Sequence, residues 1–307
     1  MKKPARVSPG DLLGIAALSG PVNLAALETG RAMLKDAGYP TRLAGNMASR
    51  SGVLGLAGSD SERLEAYRAL LCDPDVKAIL FARGGYGIGR LLAQLDPDEV
   101  GRHPKIHCGF SDVTALSAFL LRRCSLPSFH GPMVAADLSR ERDPLSASFF
   151  PSMLEGRGPG EIDLTDADVL VPGSGSGPLV GGCLSLLAAL VGSPDEFDYD
   201  GALLFIEDVA EEAYRIDRML GTLARAGRFD RLKGILVGAM SGITFGGVED
   251  PERLRDLLLE RFLPLGIPVV MGLPFGHRGP NIVVPVGGQA TWDGQRKRLR
   301  FEEEIVS

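Results

Sequence analysis

The first half of the chain alternates short apolar runs with segments whose apolar residues recur at helical spacing. The short runs predict buried strands at 12–18, 78–82 and 105–109. The periodic segments predict helices at 24–37, 61–72 and 113–121, and a further helix through Leu91, Leu92 and Leu95. Alternation of this kind is typical of a parallel sheet covered by helices, in which ligands bind at the carboxyl ends of the strands.

The second half has a mixed pattern, and it begins after a change in composition. Glycine and proline are concentrated at 156–178, which indicates a linker and a loop near a domain boundary. Beyond this stretch, strands are predicted at 202–206, 234–238 and 267–271, and helices at 184–190, 211–226 and 254–262. Asp293-Gly294 lies between two strand-like segments and predicts a hairpin.

Composition narrows the classes of function. The 307 residues are 45% hydrophobic, which suits one large or two medium domains with a buried core. A net charge of −6 and a pI near 5.4 argue against a nucleic-acid partner. No apolar run reaches the roughly 18 residues of a membrane span. The N-terminus shows no signal-peptide pattern, so we expect a cytoplasmic protein without a membrane partner.

The cysteines and two of the histidines do not indicate a metal site. The four cysteines lack C-x-x-C spacing, so we expect buried thiols rather than zinc ligands or disulfides; they are Cys72, Cys108, Cys124 and Cys183. His103 and His107 are four residues apart, but Pro104 intervenes and His107 lies in a strand-like run. A shared helical face of the kind that binds zinc is therefore not expected.

A serine lies at a predicted strand–turn–helix junction. Ser111 follows an apolar run and precedes the helix predicted at 113–121, where unpaired N–H groups could bind an oxyanion. Most serines before helices only cap them. Glu207 and His277 each follow strand-like runs, and together with Ser111 they supply the nucleophile, base and carboxylate of a catalytic triad. The turn departs from the G-x-S-x-G pattern, because position 113 is valine.

Each triad candidate has a competing interpretation. Glu207 could form a structural ion pair with Arg215 or Arg218, and His277 could be a turn residue. His130 is the main rival as the base. The carboxylates of Glu207, Asp208, Glu211 and Glu212 could bind a cation, although the last two suit a solvated helix start.

A second glycine-rich turn follows the strand predicted at 78–82. Its spacing does not match G-x-G-x-x-G or the P-loop; it reads Arg83-Gly84-Gly85-Tyr86-Gly87. Close backbone approach to a substrate, with an N–H group offered to an oxyanion, is the functional interpretation. A plain strand-to-helix turn is the alternative.

Taken together and in order, six motifs resemble the LD-carboxypeptidases, the cytoplasmic serine peptidases of murein recycling, and their relatives the microcin C immunity peptidases. The resemblance extends from about Pro9 to about Trp292. The motifs are Arg83-Gly84-Gly85-Tyr86-Gly87, Gly109-Phe110-Ser111-Asp112, His130-Gly131-Pro132-Met133, Ile206-Glu207-Asp208-Val209, Tyr214-Arg215-Ile216-Asp217-Arg218 and Phe275-Gly276-His277.

The resemblance implies an α/β fold class with two domains. An N-terminal parallel-sheet α/β sandwich at 1–150 would carry the nucleophile, and 151–175 would be a linker or loop. A smaller C-terminal β-rich α+β domain at 176–307 would carry the glutamate and the histidine. The family forms homodimers and uses neither metal nor cofactor.

The resemblance also implies the roles of individual residues. The nucleophile would be Ser111, the acidic member Glu207 and the base His277. The oxyanion would be bound by the backbone of Gly85 and Asp112. Apart from the resemblance, a carboxypeptidase must bind a terminal carboxylate, for which Arg83 or a helix N-terminus is a candidate; Gly84 and Tyr86 are further candidates for substrate binding. The implied reaction releases a terminal D-alanine from an L-centre of a murein tetrapeptide.

Two positions bear on the choice of substrate. The family often has asparagine where this chain has Cys183, so geometry or preference could differ there. The immunity peptidases use an aromatic loop to stack a nucleobase, but the only tryptophan here is Trp292, near the C-terminus. This favours a muropeptide or small peptide over a peptidyl-adenylate. A non-catalytic two-lobed binding module is the alternative of another class.

Overall fold

The computed structural model describes residues 1–45, 47–140, 150–157, 160–302 and 304–307. Within them the α-helices are α1 Leu24–Asp36, α2 Asp60–Cys72, α3 Pro97–Arg102, α4 Val113–Cys124, α5 Leu184–Leu190, α6 Ala213–Arg225 and α7 Pro251–Phe262. The strands are β1 Leu12–Ala16, β2 Thr41–Ala44, β3 Val76–Phe81, β4 Ile106–Cys108, β5 Ser128–His130, β6 Glu161–Asp163, β7 Asp168–Val171, β8 Gly175–Cys183, β9 Leu203–Val209, β10 Gly234–Ser241, β11 Val269–Met271, β12 Val284–Val286, β13 Gln289–Asp293 and β14 Arg298–Phe301. Residues 150–154 are also helical.

The first sheet has the order β12-β5-β4-β3-β1-β2. All its neighbours are parallel except β12, which runs antiparallel to β5. Alternate residues of β3 enter two different cores: Ile79 packs in one, and Ala78 and Leu80 pack in the other. The apolar runs are therefore nearly continuous because both faces of this sheet are buried.

The second sheet has the order β6-β14-β13-β8-β9-β10-β11-β7. Its central strands β8 to β11 are parallel, and antiparallel strands flank them on both sides. The hairpin predicted at Asp293-Gly294 is present as the antiparallel pair of β13 and β14. These mixed, parallel-containing sheets confirm the predicted α/β fold class.

Some segments differ from the sequence-based expectations. In place of the helix predicted through Leu91, Leu92 and Leu95, the structure has two short 3-10 turns at Ile88–Arg90 and Leu92–Gln94. Leu95 is extended before the Asp96 cap and Pro97, so a single helix cannot continue through it. The segment 151–175, expected as linker and loop, contains the edge strands β6 and β7. The domain limits at 150 and 176 stay a prediction.

A pair of glycines joins the second sheet to the first half of the chain. Gly181 and Gly182 have φ angles of +146° and +140°, a region that disfavours side chains. A Cβ on Gly181 would overlap the Phe205 carbonyl of β9, and one on Gly182 would overlap Thr114 of α4. The next residue, Cys183, donates its N–H to Thr114 Oγ1 at 3.1 Å. These contacts fix β8 and β9 against the helix that follows Ser111.

We expect Gly182→Ala to lower the free energy of unfolding by about 2 to 5 kcal/mol, because strain at positive φ adds to overlap with Thr114. Gly192→Ala is the matched control: φ is +79° and no atom lies within 4 Å of a new Cβ, so a loss of about 1 kcal/mol is expected. Urea unfolding of both variants measures the difference. Equal losses would show that the contact with Thr114 does not constrain the fold.

Candidate active site

Ser111 occupies a strained turn at the carboxyl end of the first sheet. It lies between β4 and α4 with φ +61°, where a residue other than glycine costs about 1–2 kcal/mol. A Cβ on Gly84 would lie 2.9 Å from both Cβ and Oγ of Ser111, so only glycine permits this approach. The strain and the close packing hold the hydroxyl outside the helix, and Ser111 remains partly exposed.

Glu207 and His277 form a hydrogen-bonded pair. His277 Nδ1 lies 2.6 Å from Glu207 Oε2. Glu207 is fully buried, and the His277 side chain is 18% exposed. Glu207 lies inside β9, opposite Cys183 of β8, rather than at a strand end as the apolar run suggested. Gly276, at φ +123°, lets the loop that carries His277 approach the carboxylate.

The pair is next to the serine turn. The His277 ring packs edge-on against Phe110, with the ring centroids 4.8 Å apart. Phe110 is the residue that precedes Ser111. Ser111 follows β4 of the first sheet, and Glu207 lies in β9 of the second. His277 lies on the loop between β11 of the second sheet and β12 of the first, so the junction of the two sheets brings the pair next to the serine turn.

Burial and pairing act in opposite directions on the two side chains of the pair. Burial lowers the pKa of His277, but the hydrogen bond and negative charge of Glu207 outweigh it, so the pKa is raised above 6.5. Burial raises the pKa of Glu207, and the hydrogen bond from His277 opposes this effect. Nδ1 donates to the carboxylate in the neutral ring, which leaves Nε2 as the basic nitrogen.

His130, the rival base, is buried among aromatic rings. Its ring lies 5.5 Å from Phe110, 5.3 Å from Phe205 and 6.1 Å from Phe275. Burial lowers its pKa to about 3, with a further contribution from His277, and Nε2 has no partner among the described residues. An imidazole of such low pKa is a weak base near neutral pH. The environment therefore favours His277.

The remaining histidines, His103 and His107, lie in other parts of the first half of the chain. Tyr67 Oη lies 2.9 Å from His107 Nε2, and the Lys105 carbonyl lies 3.0 Å from its Nδ1. His103 follows the last turn of α3. Within the described ranges, no group of three or more His, Cys, Asp or Glu side chains is placed to hold a metal ion. The cysteines are free thiols, and all but Cys72 are buried.

The carboxylates near Glu207 bind neighbouring backbone and side chains. Asp208 accepts hydrogen bonds from the N–H groups of Ser185 and Val209, both at 2.8 Å. Glu212 accepts from Thr244 Oγ1 at 2.8 Å. Arg215 lies 3.5 Å from Glu211, and among the described residues Glu207 pairs with His277 rather than with Arg215 or Arg218. These contacts are those of a folded loop rather than of a cation site.

The glycine loop lies beside the serine. Gly85 has φ +123° and is exposed, and the exposed Tyr86 follows it. Arg83 is also exposed and donates from Nη1 to the Pro21 carbonyl at 3.1 Å. Among the hydrogen bonds of the described residues, neither Gly85 nor Asp112 donates its backbone N–H to a protein acceptor. Both groups are thus available near Ser111.

Three polar side chains near the site were not singled out by sequence reasoning. Asn281 Oδ1 accepts from the Gly276 N–H at 3.1 Å and so supports the backbone beside His277. Asp112 directly precedes α4, a position where an aspartate is expected to cap the helix, yet its side chain makes no capping hydrogen bond. Arg63 lies on α2 and is buried. Asn281 could have been noticed in the sequence, because it is an isolated polar residue before the apolar run 282–284. Arg63 gives no such signal, because its sequence context is that of an ordinary exposed helical residue.

Family models match both halves of the chain. Residues 13–131 match the LD-carboxypeptidase N-terminal domain, and residues 176–292 match the LD-carboxypeptidase C-terminal domain. The chain belongs to the LD-carboxypeptidase family. It is 36% identical over 305 residues to the probable murein peptide carboxypeptidase of Bacillus subtilis, covering 99% of this chain and 95% of that one.

Solved structures agree in fold. The muramoyltetrapeptide carboxypeptidase from Oxalobacter formigenes is 30% identical with a TM-score of 0.80, covering 94% of this chain and 97% of that one. The microcin C7 self-immunity protein MccF, in its wild-type apo state, has a TM-score of 0.91 over 100% of both chains at 24% identity, which shows the shared fold. Within the described residues, no helix of this LD-carboxypeptidase family member is long and apolar enough to cross a membrane.

Removing the Glu207 charge should lower the pKa of His277. In the wild type, the raised pKa means that His277 contributes stability below pH 6.5, which is lost as the pH rises through the folded-state pKa. In Glu207→Gln the burial remains and the carboxylate is gone, so we expect a pKa below that of the wild type. NMR titration of the imidazole signals measures both values, with His107, whose pKa is lowered to about 4 by burial, as the internal control. An unchanged His277 pKa would contradict the pairing.

Proposed function

We propose that this protein is a metal-independent serine LD-carboxypeptidase that releases the terminal D-alanine of murein tetrapeptides in cell-wall recycling. The observation that carries the proposal is the 2.6 Å Glu207–His277 hydrogen bond beside the strained turn of Ser111. Membership of the LD-carboxypeptidase family supports the reaction class. The Bacillus and Oxalobacter relatives, by their names, support a murein peptide as the substrate.

The proposed reaction uses the three residues in sequence. Ser111 Oγ attacks the scissile carbonyl carbon while its proton passes to His277 Nε2. The C–N bond then breaks, and the leaving amine of D-alanine takes that proton from His277. Water attacks the acyl-enzyme carbonyl carbon and gives one proton to His277 Nε2. The ester C–Oγ bond then breaks, Ser111 Oγ takes that proton from His277, and the carboxylic acid product is released. Glu207 keeps Nδ1 protonated and stabilises the imidazolium in both halves of the reaction.

Backbone groups on two loops would stabilise the oxyanion. The N–H of Asp112 follows the nucleophile directly, and the N–H of Gly85 lies on the loop that packs against Ser111. Preorganised donors of this kind are worth about 3–4 kcal/mol each in the transition state. The exposed side chains of Arg83 and Tyr86, together with the Gly84 backbone, would bind the terminal carboxylate of the substrate.

The proposal extends to the location, assembly and partners of the enzyme. We place the enzyme in the cytoplasm as a homodimer with two domains, 1–150 and 176–307, joined by 151–175. Its proposed partner is the muropeptide or a small peptide, and the reaction needs no cofactor. The negative charge of the chain does not favour nucleic acid.

The immunity-type reaction, cleavage of a peptidyl-adenylate, is the second candidate because the fold matches MccF with a TM-score of 0.91. One observation disfavours it. Trp292, the only tryptophan, is 1% exposed within β13, so its ring is not available to stack on a nucleobase. We therefore rank the muropeptide first and include the adenylate as a competing substrate in the test.

Ser111→Ala should abolish release of D-alanine from a murein tetrapeptide, with a loss of about 10⁴-fold or more in kcat, because the nucleophile is gone. Mass spectrometry of the products, with EDTA present throughout, measures the release for wild type and variant. Activity retained by Ser111→Ala, or wild-type activity lost in EDTA, would contradict the proposal. Release only from a peptidyl-adenylate would support the second candidate, and no reaction with either substrate would point to a binding module.

The value of kcat/KM should rise with pH through the pKa of His277. The base must be unprotonated to accept the Ser111 proton, and Glu207 raises the pKa of His277 above 6.5. The acid limb of the profile should therefore lie above pH 6.5 and move to lower pH in Glu207→Gln, at much reduced rate. A limb near pH 3, the region of the His130 pKa, would transfer the role to that residue.

A further inference from the structure

The side chain of Asp112 does not serve its own helix. Asp112 immediately precedes α4, where an aspartate usually accepts a hydrogen bond from the first turn, but it makes no such bond. Its Oδ2 instead accepts from Ser19 Oγ at 2.6 Å and from the Ile88 N–H at 2.9 Å. Asp112 is 2% exposed. A buried carboxylate is thus directed at the loops that follow β1 and β3.

Arg63 contacts the same two loops from the opposite side. Its Nη1 donates to the Gly87 carbonyl at 3.0 Å and to the Leu18 carbonyl. Its Nη2 donates to Asp60 at 2.6 Å. The side chain is fully buried, and a Cβ on Gly87 would lie 2.8 Å from Nη1. Glycine at position 87 therefore allows the guanidinium to reach the backbone.

One peptide group receives both contacts. The carbonyl of Gly87 and the N–H of Ile88 belong to the same planar peptide. Arg63 binds the carbonyl, and Asp112 binds the N–H. A peptide plane held at both ends by buried, opposite charges has little freedom to rotate. The plane lies two residues beyond Gly85, which the proposed mechanism uses as an oxyanion donor.

The second loop is held in the same manner. Arg63 binds the carbonyl of Leu18 and Asp112 accepts from the hydroxyl of Ser19, the next residue. The Gly20 N–H in turn approaches the Gly84 carbonyl at 3.4 Å. The loops after β1, β3 and β4 are therefore joined through two charged side chains at the carboxyl edge of the sheet.

We propose that Asp112 and Arg63 are positioning residues that fix the distance between the two oxyanion donors, the N–H groups of Gly85 and Asp112. The inference rests on the proposed function, since it assigns those donors a role in the reaction. Asp112 then serves twice: its backbone binds the oxyanion, and its carboxylate holds the loop that carries the other donor. Burying two charges without an interaction of this kind would be unfavourable.

This role differs from simple stabilisation in its kinetic signature. Loss of loop position weakens binding of the tetrahedral transition state more than binding of the planar substrate, so kcat falls while KM changes little. A purely structural role would lower the amount of folded enzyme and leave the kcat of the folded fraction intact. A fluorophosphonate labels Ser111 as the Oγ–P bond forms, fluoride leaves and the Oγ proton passes to His277. The labelling rate depends on the same two donors, because negative charge develops on the phosphoryl oxygen during this step.

The test compares Asp112→Ala, Asp112→Asn and Ser19→Ala with the wild type, Ser111→Ala and Asp195→Ala. Asp195 is the matched control, a buried aspartate that pairs with Arg123 at 3.2 Å outside the site. For each variant, kcat and KM for the murein tetrapeptide, the labelling rate of Ser111 and the folded fraction are measured.

We expect Asp112→Ala to lower kcat and the labelling rate by about 100-fold with KM changed less than about 3-fold. Asp112→Asn should recover most of the loss, because its amide oxygen can still accept from Ile88, and Ser19→Ala should lose about 10-fold. Asp195→Ala should lose stability only. If Asp112→Ala does not fold, Asp112→Asn and Ser19→Ala decide.

The inference is overturned if folded Asp112→Ala and Ser19→Ala keep the wild-type kcat and labelling rate, or if KM rises in proportion to the fall in kcat. Failure of the proposed function looks different: the wild type would then release no more D-alanine than Ser111→Ala. In that case the labelling rates still report on the position of the loop.

Discussion

The contact between Gly182 of β8 and Thr114 of α4 is the constraint on which the site depends. The helix that begins just after Ser111 meets the second sheet at this point, and the Cys183 N–H binds Thr114 in the same place. Cys183 is in register with Glu207 on the neighbouring strand. The close approach therefore fixes the Glu207 carboxylate relative to the Ser111 turn, and any side chain at position 182 would move the two apart.

The electrostatics of the site follow from this packing. Glu207 is fully buried and has one buried oxygen, Oε1, without a partner among the described residues, so its favourable contact is the hydrogen bond to His277. Leaving a carboxylate in such surroundings is costly unless it is paired. In the proposed chemistry this buried carboxylate has a function: it keeps the His277 imidazole in one tautomer and raises its pKa. His130 lies among phenylalanine rings, and its Nε2 has no partner among the described residues; burial lowers its pKa to about 3, so the ring is neutral near neutral pH.

Local sequence patterns predicted which segments form strands and helices better than they predicted which segments and side chains contact each other. The apolar runs predicted β1, β3 and β4, and Asp293-Gly294 predicted the hairpin of β13 and β14, because turn chemistry is local. The strand β12 was missed, since Val284-Pro285-Val286 is short and pairs with β5 far away in the chain. Ser111, Glu207 and His277 could be named from the motifs, whereas the hydrogen bond that the Ile88 N–H donates to Asp112 could not, because a residue before a helix is expected to cap it.

The proposed reaction requires that Ser111 is a nucleophile activated by His277. Intact-protein mass spectrometry after treatment with a fluorophosphonate tests this requirement, with wild type, His277→Ala and His130→Phe compared. We expect one adduct per chain, located on Ser111, in the wild type and in His130→Phe, and almost none in His277→Ala. Labelling that persists in His277→Ala, or an adduct on another residue, would contradict it.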